Sequence, residues 1–103
     1  MLFCWAALGE ESPGPGNVEK TQTTKTALIA GLKAAFAYCD SAYGGMTDAK
    51  GAEVVRFFGG MPRLAALAFN TSHNAEHYGN MVTYMRLRHI VPPSSERAPR
   101  AAK

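Results

Sequence analysis

Residues 60–93 read GMPRLAALAFNTSHNAEHYGNMVTYMRLRHIVPP, and this stretch decides the fold class. Gly59 and Gly60 interrupt any earlier helix, and Pro62 can stand in a first helical turn, where its missing N–H leaves no bond unmade. Pro92-Pro93 forbid continuation, so the sequence predicts one long helix from just after Gly60 to about His89. At about 100° per residue, Leu64, Leu67, Ala68, Thr71, Ala75, Tyr78, Val82 and Met85 fall on one wide apolar arc. Ala66, Phe69, Tyr84 and Leu87 form a narrower patch on the far side, which predicts neighbours on two sides of a central helix.

Upstream, Leu28, Leu32, Ala35, Phe36, Cys39, Ala42 and Tyr43 follow helical spacing and give a second amphipathic helix over 24–43. Thr23 or Thr24 can cap its first amides, and Gly44-Gly45 ends it because glycine accepts left-handed C-terminal geometry. Met1 to Leu8 is apolar enough to be the end of a further helix, whereas 9–23, with Pro13-Gly14-Pro15-Gly16, is a loop. Residues 53–58 read either as a short helix or as an extended segment packing Val54, Val55, Phe57 and Phe58. The organisation is therefore an all-α domain over 1–91, followed by a tail over 92–103 whose composition is that of a disordered segment.

Composition removes several classes of function. The 103 residues are 47% apolar and 18% charged, which leaves room for one small domain and excludes a multidomain enzyme. No apolar run reaches the roughly 18–20 residues of a membrane-spanning helix, and the apolar start lacks the basic region of a secretory signal. A cytoplasmic protein is expected. The net charge of +3 divides unevenly: residues 1–85 hold six Lys/Arg against seven Asp/Glu, and 86–103 hold five against one. The basicity belongs to the tail, with no basic stripe interleaved with aromatics, so nucleic acid is not an expected partner. Cys4 and Cys39 show neither a CxxC nor a framework spacing and read as buried free thiols rather than a disulfide.

His73 and His77 lie four apart on the long helix, so their imidazoles stack one turn apart and both can ligate one ion. Spacing alone also fits two polar residues on a solvated face. Asn70, His73, His77 and Asn80 make a polar strip bounded by Ala66, Phe69 and Tyr84, a pattern suited to a pocket between packed helices. Glu76 stands directly before the second histidine rather than after the first, which rejects the HExxH protease pattern and makes it a surface or salt-bridging residue. His89 falls on nearly the opposite face, near the helix end, where it can help satisfy the last carbonyls. No GxSxG, P-loop or GxGxxG occurs, and no catalytic residue is assigned.

The segment HNAEHYGNMVTYMRLRHIVPPSS (73–95) resembles the last helix and exit of DinB-like (DinB/YfiT) proteins, as do AAFAYCDSAY near Leu32–Tyr43, FFGG at 57–60 and FCWAALGEESP at 3–13. The resemblance covers most of 3–95. It implies an antiparallel four-helix bundle, often dimeric, that holds a divalent ion, zinc or nickel, through three histidines. Two of these map onto His73 and His77. The third would precede Met1, as would the first family helix and most of the second, so the resemblance implies a shortened member with an incomplete bundle. Leu28, Leu32, Phe36 and the arc of the long helix would then lack cover, which favours a homodimer.

Two functions follow as expectations. One is a metal-binding protein related to metal-dependent thiol transferases or hydrolases, acting on a low-molecular-weight thiol or another small molecule, with His73 and His77 as metal ligands. The other is a non-catalytic, truncated helical interaction module that self-associates through its uncovered apolar face.

Overall fold

The computed structural model describes residues 2–10 and 18–96. They form helices α1 (Leu2–Leu8), α2 (Val18–Thr21), α3 (Lys25–Gly44), α4 (Asp48–Ala52) and α5 (Arg63–Leu87), a two-stranded antiparallel sheet of β1 (Val54–Val55) and β2 (Met61–Pro62), and a 3-10 turn at Pro93–Ser95. The protein is mostly helical, as the sequence predicts. Its contacts define two compact units, Met1–Thr71 and Ser72–Lys103, each described by itself.

In the first unit the capping chemistry places the helix ends. Thr24 is the cap of α3, its hydroxyl accepting from the Ala27 amide at 3.2 Å. The helix stops at Gly44 as predicted, but not by a left-handed glycine, because Gly45 has φ −89° and its N–H bonds back to the Ser41 carbonyl. The left-handed device is found at the end of α1 instead. Gly9 has φ +75°, with its N–H on the Ala6 carbonyl and that of Glu10 on the Trp5 carbonyl, the paired bonds of a Schellman ending. Thr47 caps α4 in the same way as Thr24 caps α3. The alternative left open at 53–58 resolves as extended: Val54 pairs with Pro62 and Val55 with Met61. Phe58, Gly59 and Gly60, all with positive φ, turn the chain between the strands. Pro62 thus ends β2 immediately before α5 rather than lying inside its first turn.

The core of this unit is small because α1 is short. Seven residues of helix cover about 10 Å, against about 30 Å for the 20 residues of α3. Cys4 and Ala7 of α1, Ala42 at the end of α3, and Ala66 and Leu67 at the start of α5 make the buried cluster. Phe3 adds ring contacts at 5.4 Å to Phe57 and 5.1 Å to Phe69. Of the predicted α3 face, Ala42 alone is buried, while Leu28, Leu32 and Phe36 are 46%, 58% and 57% exposed. On α5 the predicted arc buries only Leu67, and Ala66, assigned to the far side, is buried with it. Periodicity gives the face that can be apolar, and the length of the covering element decides how much of it is used.

The two cysteines correct the free-thiol expectation: Cys4 and Cys39 form a disulfide, with Cα atoms 5.3 Å apart, that ties α1 to α3 across 35 residues of sequence. Two polar ties reinforce it. Arg63 donates from Nη1 to the Ala7 carbonyl at 2.6 Å, satisfying a C-terminal carbonyl of α1, and its Nε pairs with Glu53 at 3.0 Å. The Tyr38 hydroxyl donates to Glu10 Oε2. Burial, then the hydrogen bond to this carboxylate and its charge, push the Tyr38 phenol up to about 12.

The second unit carries the remainder of α5 and the chain that follows it. Its ending is again a Schellman motif, with the Ile90 N–H on the Met85 carbonyl at 2.9 Å and the His89 N–H on that of Arg86 at 3.0 Å. Here the left-handed residue is His89, with φ +57°. His89 does serve the last carbonyls, through its backbone. Beyond it the predicted disordered tail begins with ordered structure: Pro92 is buried, the Ser94 amide donates to the Tyr78 hydroxyl at 3.0 Å, and Arg86 reaches Ser95 Oγ at 3.3 Å. The rest of that predicted tail, 97–103, lies outside the described residues.

Candidate metal centre

His73 and His77 occupy the second unit, one turn apart on α5. Residues four apart on a helix share a face, and here the two rings stand edge to face with centroids 4.4 Å apart. Their Nε2 atoms converge to 2.9 Å. In that arrangement one Nε2–H donates to the other Nε2 lone pair. The His73 side chain is 38% exposed and His77 is exposed, so the convergent nitrogens belong to an accessible surface.

The separation can be tested against coordination geometry. Two nitrogens, each about 2.05 Å from a common ion, lie about 2.9 Å apart at a 90° ligand angle and about 3.3 Å apart at the tetrahedral angle. The observed 2.9 Å matches the first, suited to tetragonal nickel, and a few tenths of an ångström of side-chain rotation reaches the second, suited to zinc. The two imidazoles therefore fit as a bidentate clamp. Binding would need both Nε2 lone pairs, which moves the remaining protons to Nδ1. Glu76, one turn away, holds Oε2 3.7 Å from His73 Nδ1, on the ring edge away from His77. That is longer than a hydrogen bond, so the carboxylate favours a proton on Nδ1 through its charge. This places Glu76 as an orienting neighbour, consistent with its sequence reading as a salt-bridging residue and not as a base.

The other members of the predicted polar strip do different things. Asn70 is 4% exposed and belongs to the first unit, where its Nδ2 donates to the Tyr43 hydroxyl at 3.1 Å while that hydroxyl donates to the Leu67 carbonyl at 2.9 Å. Asn70 is thus a satisfied core amide. Asn80 is exposed. Among the described residues no group of three or more His, Cys, Asp or Glu side chains is arranged to hold an ion, so the clamp provides two protein donors. Sequence reasoning missed the Asn70–Tyr43 pairing, which no local pattern signals, because it joins residues 27 apart.

Among the described residues no helix is long and apolar enough to cross a membrane. No protein-family model, curated protein or solved structure matches the chain.

Proposed function

We propose that this chain is a DinB-like, divalent-metal-binding helical protein in which His73 and His77 hold zinc or nickel. The observation that carries the proposal is the convergence of the two Nε2 atoms to 2.9 Å, supported by Glu76 at the opposite edge of the His73 ring. The family resemblance adds an antiparallel helical bundle and a small-molecule substrate such as a low-molecular-weight thiol. When bound, the ion supplies Lewis-acid activation of a thiol or water. The chain's own contribution is to place two imidazoles on one exposed face, with the Glu76 carboxylate near Nδ1 of His73. The test is calorimetric titration of the purified chain with zinc and nickel, with His73→Ala and His77→Ala alongside. Binding with a rise in melting temperature, lost in both variants, supports the proposal, and a flat titration of the unsubstituted chain removes it.

The exposure of Leu28, Leu32 and Phe36 favours a second reading, a helical module that self-associates through this stripe of α3. Burying three half-exposed apolar side chains contributes about 1 kcal/mol each, or about 6 kcal/mol for a symmetric pair of stripes. Association itself costs about 4–15 kcal/mol, so this stripe alone supports only weak self-association. Concentration-dependent melting retained in both histidine variants would support this reading, and a monomer throughout the micromolar range would remove it.

A further inference from the structure

We propose that His73 and His77 form one half of a metal centre whose other half is the same pair on a second copy of this chain, one ion being held by four imidazoles. This rests on the two-histidine reading above and adds its partner. The clamp offers two donors among the described residues, whereas a closed zinc site takes four. A two-fold axis through the ion supplies the missing pair from an identical surface, without requiring a second kind of ligand.

The surroundings of the clamp suit that partner. By helical spacing Met81, Tyr84 and Leu87 fall with the histidines inside an arc of about 120°. They are 53%, 69% and 71% exposed, so the face that carries the donors also carries uncovered apolar side chains. Brought against its own copy across the axis, Met81 lies one turn from the histidines, and Tyr84 and Leu87 extend the apolar contact about 10–15 Å along the helix, while the carboxylate of Glu76 remains on the Nδ1 side of His73. Asn80 and Arg88, both exposed, share this arc.

The experiment is sedimentation velocity on the full chain, first in chelator and then along a zinc titration, with bound zinc measured in each species. The expected result is a monomer in chelator that becomes a dimer, saturating at one zinc per two chains, with dimer affinity raised at least about tenfold by the ion. Excess zinc should return monomers carrying one ion each, since every clamp then finds its own. Tyr84→Glu should weaken the zinc-dependent dimer at least about tenfold while leaving single-clamp zinc uptake at excess ion unchanged. Zinc uptake at one ion per chain with no dimer at any ratio overturns the bridging and leaves the two-histidine reading standing. Absence of zinc uptake overturns both. A dimer of equal strength in chelator, or one kept by His77→Ala, also overturns the bridging, and circular dichroism of each variant reports that its helices are intact.

Discussion

Breaking the Cys4–Cys39 bond is the perturbation whose magnitude follows most directly from the structure. The bond spans 35 residues of sequence, and closing a loop of that length removes about 13 cal/mol/K of entropy from the unfolded chain, or about 4 kcal/mol at 25 °C. Small domains have about 5–15 kcal/mol in total, so this share is large. The core gives a reason for such dependence: four of the eight buried apolar residues among those described are alanines, each with little area to remove from water. Urea unfolding followed by circular dichroism, with and without a phosphine reductant, measures the loss. Cys4→Ala/Cys39→Ala separates the cross-link from the packing of the fully buried Cys4 sulfur, because reduction keeps both sulfur atoms and the double variant removes them. Reduction should lower the unfolding free energy by about 3–4 kcal/mol and raise the denaturant dependence, since an uncrosslinked chain exposes more surface when unfolded. The double alanine chain should lose at least as much. A loss below about 1 kcal/mol on reduction would refute the idea that this tie holds α1 in place.

Three other outcomes are expected. His89→Gly should stabilise the chain by about 1 kcal/mol, because His89 holds the left-handed position that ends α5 and glycine occupies it without the side-chain penalty; a destabilisation measured in urea would show that the His89 side chain matters more than its backbone. Arg63→Met should cost about 2–3 kcal/mol by removing charge-assisted bonds to the Ala7 carbonyl and Glu53, and an unchanged unfolding midpoint would sink that role. In a phenolate absorbance titration one of the four tyrosines should ionise late, near 12, and Glu10→Gln should bring it down. Because the folded state holds the Tyr38 proton more tightly than the unfolded state, its contribution to stability is present below pH 10 and is lost as pH rises from 10 towards 12.

The helices were legible where local chemistry marks them. Thr24 and Gly44 bound α3 within a residue of the sequence reading, and the glycine pair and proline pair bracket α5. The approach of His73 and His77 was legible for the same reason, since a spacing of four on a helix is itself a geometry. What local pattern could not carry was pairing between distant segments. Cys4 with Cys39 and Asn70 with Tyr43 depend on where α1, α3 and α5 meet, and neither cysteine has a neighbour that announces a partner. The uncovered part of the α3 face was legible, however: Leu28, Leu32 and Phe36 were expected to lack cover, and a seven-residue α1 reaches only the far end of that face.

The disulfide also bears on the compartment in which the chain works. The sequence reading expects a cytoplasmic protein, whereas structural disulfides persist chiefly where the surroundings oxidise. Burial changes that balance without removing it. Cys4 has no exposed surface whereas Cys39 is half-buried, so a thiol reductant meets the bond from the Cys39 side while α1 stays docked, and the Arg63 bond to Ala7 keeps it docked. The bond should therefore be reduced more slowly in the folded chain than after urea opens it. Acid quenching of cells, followed by denaturation and a mass-tagged maleimide, reads its state directly, as each of the two cysteines accepts one tag only when reduced. Untagged chain would place the bond in the working protein and argue for an oxidising compartment or for protection by burial; a repeat in cells treated with a permeant reductant separates these, since a protected bond stays untagged. Two tags per chain would mean that the working protein holds α1 by packing and by Arg63 alone, and the stability that matters would be that of the reduced form.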